Sequence, residues 1–368
     1  MKSVKKVLLV LVVAILGISV TFLLNGCEKK KSAVKETFKI GLIAPLSGPA
    51  GYLGEGMKNA IFLAKDHLKD TKYNYEILVE DDQLDPKMTA SAASNLLDID
   101  KVDVVMSVEA AMAAVIAPMV KSHDKLSFGI TAVSSNADGE YSFLHWTPAM
   151  EQAAVIVNEF KNKGIKKVAI FRSVSLEDWT AYVDALKKLV ADTDIKIVAE
   201  HSFTDDTKDF RSMIAQAKST KPDIYFLVVP TPAVEILTKQ LKEAGNKAPL
   251  TSIESFEVTE QPELFEGYWY SSASEPNQAY RDAYQAKYNK NQTICSANIY
   301  DMFNLTVRAI EDVQSEDRPT RAQIAAELKK IRNFPGALGN LSVGDDGVVV
   351  SKAQLKMIKD GKVTPIGE

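Results

Sequence analysis

The side chains of this 368-residue chain that could do chemistry are mostly carboxylates and hydroxyls, with few bases beside them. Its four histidines, His67, His123, His145 and His201, are scattered, and neither a Cys-x-x-Cys nor a His-x-x-x-His pair occurs, so no metal cluster of familiar spacing is expected. There is no Gly-x-Ser-x-Gly string, neither Cys27 nor Cys295 has a plausible histidine partner, and Ser173-Val174-Ser175 reads as a polar loop. Acyl transfer through a nucleophile therefore has no support. Two carboxylates facing across a cleft could work as a glycosidase pair. A single placed carboxylate could instead hold an ammonium group through charge-assisted hydrogen bonds, roughly twice as strong as neutral ones. Binding, with no enzyme activity and no cofactor, is the expected chemistry.

The amino terminus carries a second kind of chemistry. Lys2, Lys5 and Lys6 precede an almost unbroken apolar run from 7 to 24, which Leu24-Asn25-Gly26-Cys27 closes. This segment resembles a bacterial lipoprotein signal, in which residues 1–26 are removed and the Cys27 thiol is acylated. The competing reading is an uncleaved anchor, since eighteen residues can just span a bilayer of roughly 30 Å. That reading gives no reason for a cysteine at this point. Residues 27–37 are too charged to bury a core and read as a flexible tether. On either reading the folded part lies outside the cytoplasm, lipid-anchored to a bacterial membrane on the first.

From Cys27 onward 342 residues remain, more than one ordinary core holds. Removing the three lysines of residues 1–26 takes the formal charge from −4 to −7, a poor balance for holding nucleic acid phosphates. With Cys27 acylated, Cys295 has no partner for a disulfide within the chain and reads as a small buried apolar residue. Short β-branched runs alternate with longer amphipathic ones, the rhythm of strand, crossover helix and parallel strand. Strands are expected at 39–44, 75–79, 102–106 and 126–130, with helices at 56–68, 87–97 and 110–120 between them. The rhythm restarts with helices at 151–161, 178–190, 210–217 and 234–244 around strands at 168–171, 195–198 and 224–229. After Pro276 helices dominate, at 278–288, 297–313 and 321–331, before a hairpin over 338–350 and a strand near 355–358. Two α/β halves leave a cleft between them, and ligands of open parallel sheets bind beyond the carboxyl ends of the strands.

The loops after those strands carry a family resemblance. Pro45-Leu46-Ser47-Gly48-Pro49-Ala50-Gly51-Tyr52-Leu53-Gly54, Glu80-Asp81-Asp82-Gln83-Leu84-Asp85-Pro86, Ala117-Pro118 and Tyr300-Asp301 occur in the order and spacing of the substrate-binding proteins of branched-chain amino acid ABC transporters. The chain resembles that family over nearly its whole mature length. The resemblance implies an α/β, type I periplasmic-binding-protein fold, with two doubly wound parallel-sheet lobes joined by a three-segment hinge. It places lobe 1 at 38–146 plus 276–333 and lobe 2 at 147–275 plus 334–368, with hinges near 146–150, 271–276 and 334–339. The glycines of 45–54 do not fit G-x-G-x-x-G, and the P-loop lysine is missing, so nucleotide binding has little support.

Residue by residue, the resemblance assigns a ligand carboxylate to the loop Ser107-Val108-Glu109-Ala110-Ala111-Met112, at a helix start where partial positive charge favours anions. The family's paired hydroxyls fall on Ala110 and Ala111, which leaves only backbone N–H groups there. Glu109 is either an acid stabilising the helix dipole by about 0.3–1 kcal/mol or the mark of a pocket that accepts a positive or non-carboxylate group. In the next loop Ala132 offers its backbone. Ser134 aligns with a hydroxyl on the carboxylate and is equally an ordinary turn former. Tyr52 or Leu53 stands where an aromatic meets the ligand side chain, and Trp179 could provide a hydrophobic wall. Thr231 reaches the cleft or simply opens a helix. Glu254 matches the acid that takes the ligand ammonium, its alternative being a solvated loop acid. The function implied is capture of a small amino acid-like ligand by closure of the lobes and delivery to an ABC permease, by a protein expected to be monomeric. A receptor that signals to a membrane kinase or chemoreceptor is the alternative, and a surface lipoprotein with a vestigial cleft is a third.

Overall fold

The computed structural model describes residues 35–259 and 261–367. The expectations for residues 1–26 and most of 27–37, Cys27 included, lie outside the described residues. The first sheet is formed by β1 (Thr37–Ala44), β2 (Asn74–Asp81), β3 (Val104–Val108), β4 (Leu126–Ile130) and β5 (Ser142–Leu144) in the order β2-β1-β3-β4-β5, every pair parallel. Helices α1 (Gly51–Asp66), α2 (Pro86–Ser94) and α3 (Ala110–Ser122) make the crossovers. Every residue of β3 and β4 is buried, as strands covered by helices on both faces require. Asp85 caps α2 by accepting from the backbone N–H groups of Lys87 and Met88, with Pro86 at the first helical position. A single π-helical turn, Asn95–Ile99, then buries Leu96 and Leu97 where the sequence predicted plain helix.

The second sheet repeats the winding. β6 (Lys167–Ser173), β7 (Lys196–Phe203), β8 (Ile224–Val228), β9 (Leu250–Ile253) and β10 (Trp269–Ala273) lie in the order β7-β6-β8-β9-β10, all parallel. The crossover helices are α4 (Ala149–Asn162), α5 (Glu177–Val190), α6 (Arg211–Ser219) and α7 (Ala233–Glu243). Three helices follow β10: α8 (Gln278–Tyr288), α9 (Ser296–Asp312) and α10 (Arg321–Lys330), with α9 packed along α1 of the first lobe. The chain ends with the small antiparallel sheet β11 (Phe334–Gly336), β12 (Gly339–Val343) and β13 (Val349–Val350). Then β14 (Ala353–Lys359) and β15 (Lys362–Pro365) extend the second sheet antiparallel from β10.

Residues 334–350, expected with the second lobe, lie against first-lobe elements instead. Asp301 on α9 accepts from the N–H groups of Ala337 at 2.6 Å and Leu338 at 2.9 Å, Val343 donates to Ile331, and Leu144 donates to Gly347. At the last contact a Cβ on Gly347 would stand 2.8 Å from the backbone of Gly139, so glycine is needed there.

Candidate functional site

The strand order reverses between β1 and β3 in one lobe and between β6 and β8 in the other, and a cavity of about 210 Å³ opens at the carboxyl ends of both sheets. First-lobe walls come from α1 (Tyr52, Leu53), the end of β3 (Val108, Glu109) and the end of β4 (Ile130, Thr131). Second-lobe walls come from Asp178, Trp179 and Tyr182 on α5, from Thr231 after β8 and from Glu254 after β9. Trp146, Cys295 and several aliphatic side chains, Leu84 and Ile294 among them, fill in the lining, which among the described residues contains no lysine, arginine or histidine.

The loop carrying Tyr52 and Leu53 is held by its neighbours. Asp81, at the end of β2, accepts from the backbone of Leu46 and Ser47 and from the Ser47 hydroxyl. The Pro45 carbonyl lies so close that a Cβ on Gly54 would come within 2.0 Å of it. The acidic motif at 80–86 therefore acts as scaffold: Asp81 braces one loop, Asp85 caps a helix and only Leu84 reaches the cavity.

Asp178 crosses from the second lobe to the first. Its Oδ2 accepts from the Ala110 N–H at 3.0 Å, and its Oδ1 accepts from the Ala132 N–H at 2.5 Å and the Thr131 hydroxyl at 2.7 Å. The amino end of α3 and the loop after β4 thus hold a carboxylate, as a helix amino terminus should, and that carboxylate belongs to the protein. Beside it Glu109 occupies the residue before α3 with φ of 78°, and its Oε2 is buried with no hydrogen-bond partner. Burial first, and the negative Asp178 and Glu254 next, raise Glu109 well above the usual carboxylate range.

Glu254 sits deeper, only 7% exposed, at φ of 60°. Its Oε1 collects the Tyr182 hydroxyl at 2.9 Å, the Trp146 indole N–H at 3.1 Å and the amide of Gln152. Burial pushes its carboxyl up to about 7, although the bonds from Gln152 and Tyr182 pull the other way. Cys295 also has positive φ, 69°, and burial together with the three carboxylates raises its thiol. Non-glycine residues at positive φ each cost of order 1–3 kcal/mol and tend to gather at functional sites. Glu109, Glu254, Cys295 and Leu84 all line this one cavity.

Of the residues anticipated from the sequence, Tyr52, Leu53, Glu109, Trp179, Thr231 and Glu254 line the cavity. Ala110 and Ala132 contribute backbone N–H groups, already engaged by Asp178. Ser107 is buried in β3, Ala111 lies half-buried in the first turn of α3 outside the lining, and Ser134 stands exposed on a 3₁₀ turn, so none of the three lines the cavity. The hydroxyl in the place expected for Ser134 belongs to Thr131, three residues earlier. Thr231 spends its hydroxyl on Glu235 at 2.8 Å. Asp178, Thr131, Trp146, Tyr182 and Gln152 were not singled out. Burial of polar residues would have marked them, and burial is not visible in a sequence. Among the described residues no group of three or more His, Cys, Asp or Glu side chains could hold a metal ion, and no helix is long and apolar enough to cross a membrane.

Two equally wound α/β lobes with a cavity between their strand ends define the type I binding-protein architecture. The sequence profile of the periplasmic binding protein family matches residues 37–362, and the chain belongs to that family. It is 26% identical over 335 residues to the Leu/Ile/Val-binding protein BraC3 of Rhizobium johnstonii, covering 85% of this chain and 89% of that protein. A Leu/Ile/Val-binding protein homolog 3 of Brucella melitensis biotype 1 is likewise 26% identical over 353 residues, 90% of this chain and 94% of its own. Among solved structures, a leucine binding protein LivK from Thermotoga maritima superposes with a TM-score of 0.81 at 22% identity, over 90% of this chain and 98% of that one. The periplasmic-binding-protein family and the α/β fold expected from the loop strings are thereby borne out.

Proposed function

We propose that the chain is an extracytoplasmic solute-binding lipoprotein, anchored through Cys27, that captures a small polar amino acid-like ligand or related amine in the inter-lobe cavity and delivers it to an ABC permease. The observation that carries this reading is Glu254, a buried carboxylate at the wall of a largely apolar cavity between two lobes. A carboxylate so placed is costly unless it meets a cation. The relatives named for leucine, isoleucine and valine binding support the amino acid-like class. Lobe 1 would comprise 38–146 and 276–350, and lobe 2 would comprise 147–275 and 351–367, rotating about the crossings near 146–150, 271–276 and 351–352. A ligand favours the closed arrangement only by touching both lobes, which Glu109 and Glu254 on opposite walls allow. A lipid anchor would keep the monomer near its permease at raised effective concentration. Thermal unfolding of the purified protein against amino acids, amides, polyamines and small carboxylates tests the reading. A shift with one compound class is expected, and no shift across the panel would contradict it.

A further inference from the structure

We propose that the natural ligand of this cleft is a small cationic amine that has no carboxylate of its own, because Asp178 of the second lobe already fills the carboxylate cradle of the first. This rests on the reading of the cleft as a solute site and narrows its ligand.

The argument is one of donors and charges. A ligand carboxylate needs hydrogen-bond donors, and those at the amino end of α3 and after β4, the Ala110 N–H, the Ala132 N–H and the Thr131 hydroxyl, are all bonded to Asp178. Asp178 is itself 8% exposed, so this is a built contact within the fold. No basic side chain among the described lining residues replaces those donors. The lining holds three carboxylates, Glu109, Asp178 and Glu254. A zwitterion would bring a fourth acid group beside these three with no cation in the lining to receive it, the arrangement that selective sites use to reject a wrong ligand. An ammonium group meets the opposite situation. Oε2 of Glu109 is buried in the wall without a partner, and the donors on Glu254 all reach its Oε1. Tyr52, Trp146, Trp179 and Tyr182 are among the lining residues, aromatic partners suited to a cation and to the apolar body behind it. The cavity, at about 210 Å³, is smaller than the roughly 300–1,000 Å³ of drug-sized sites, which fits a short amine.

Matched pairs that differ only in the carboxylate provide the test. The purified full chain is titrated calorimetrically above neutral pH with 3-methylbutylamine against L-leucine, and with 2-phenylethylamine against L-phenylalanine. At least one amine is expected to bind about tenfold or more tighter than its amino acid. In Asp178→Ala the three donors are released, so the amino acid should gain affinity and the amine should lose it. Asp178→Asn keeps an acceptor oxygen for Thr131 and Ala132, which guards the fold, and should weaken the amine without improving the amino acid. An amino acid that binds wild type more tightly than its amine would overturn the proposal, making Asp178 a latch that the ligand displaces, and would leave the solute-binding reading intact. Preference unchanged in both variants would overturn it as well. If neither pair binds while a solute other than a carboxylate-free amine shifts the unfolding temperature, the amine assignment alone falls; if nothing binds, both readings fall.

Discussion

The Ala110 N–H of one lobe donates to Oδ2 of Asp178 in the other across 3.0 Å, so a protein group bridges the cleft where a ligand would be expected to do so. Charge-assisted bonds of this kind contribute about 1.5–3 kcal/mol each when buried. Removing them with Asp178→Ala should therefore shift the ligand-free population toward an open form. Small-angle scattering would show a larger radius of gyration for the variant than for wild type, and equal radii would mean that the lobes are held by something else.

The pH dependence of stability follows from Glu254. Its carboxyl rises from an ordinary 4.5 to about 7 in the fold, mainly through burial. The protonated form is thus the one the ligand-free fold prefers, and its contribution to stability is complete below the unfolded value and lost as pH rises through the folded one. At roughly 1.36 kcal/mol per unit, the loss amounts to roughly 3 kcal/mol. Denaturant unfolding should show stability falling between about pH 4.5 and 7, and Glu254→Gln should flatten much of that slope. Glu109, raised in the same direction, supplies the remainder. The groups facing Glu254 include Trp146, Gln152, Tyr182, Asp178, Glu109 and Glu257, and Glu257 is paired with Lys356, so among the described residues no unpaired cation lines the cavity to offset the trend. Affinity for an ammonium ligand should run the other way, rising with pH across the same window.

Gly54 tests the scaffold behind Tyr52 and Leu53. A Cβ there would lie 2.0 Å from the Pro45 carbonyl oxygen, a backbone atom with no freedom to give way locally. Gly54→Ala should cost about 1–3 kcal/mol of stability and weaken ligand binding together with it. Chemical denaturation and titration of the same sample would check both, and a neutral substitution would contradict the packing described.

The lipid anchor has its own test. The intact mass of protein extracted from membranes should correspond to a chain that begins at Cys27 and carries added acyl chains. A chain that keeps residues 1–26 without acyl mass would favour an uncleaved apolar anchor over acylation.

How much of this was legible in the sequence depends on what each residue does. The parallel strands with continuous apolar runs, such as β3, β4 and β8, and the helices between them follow from periodicity alone. β9 and β10 escaped because hydroxyl residues stand at their centres. Thr251 donates to the Trp269 carbonyl and Ser252 to the Leu227 carbonyl, so these polar side chains are buried at little cost, a pairing no local pattern announces. In the site, Glu254 was recognisable by family resemblance alone, since the strand before it carries hydroxyls at its centre. Asp178 was not, because its role depends on the approach of two lobes 68 residues apart in the chain. Thr131 and Ser134 show the same limit: both are hydroxyls of one loop, and only the backbone path decides that the first turns inward.

The central claim is that an ammonium group docks on Glu254 inside the cavity, and the most direct measurement is calorimetric titration of wild type and Glu254→Gln with whichever panel compound shifts the unfolding temperature. Gln keeps the volume and one acceptor oxygen while removing the charge. The account predicts a loss of about a hundredfold in affinity, near 3 kcal/mol, with the variant still folded. Binding within a factor of about two of wild type would place the ammonium elsewhere and contradict the account.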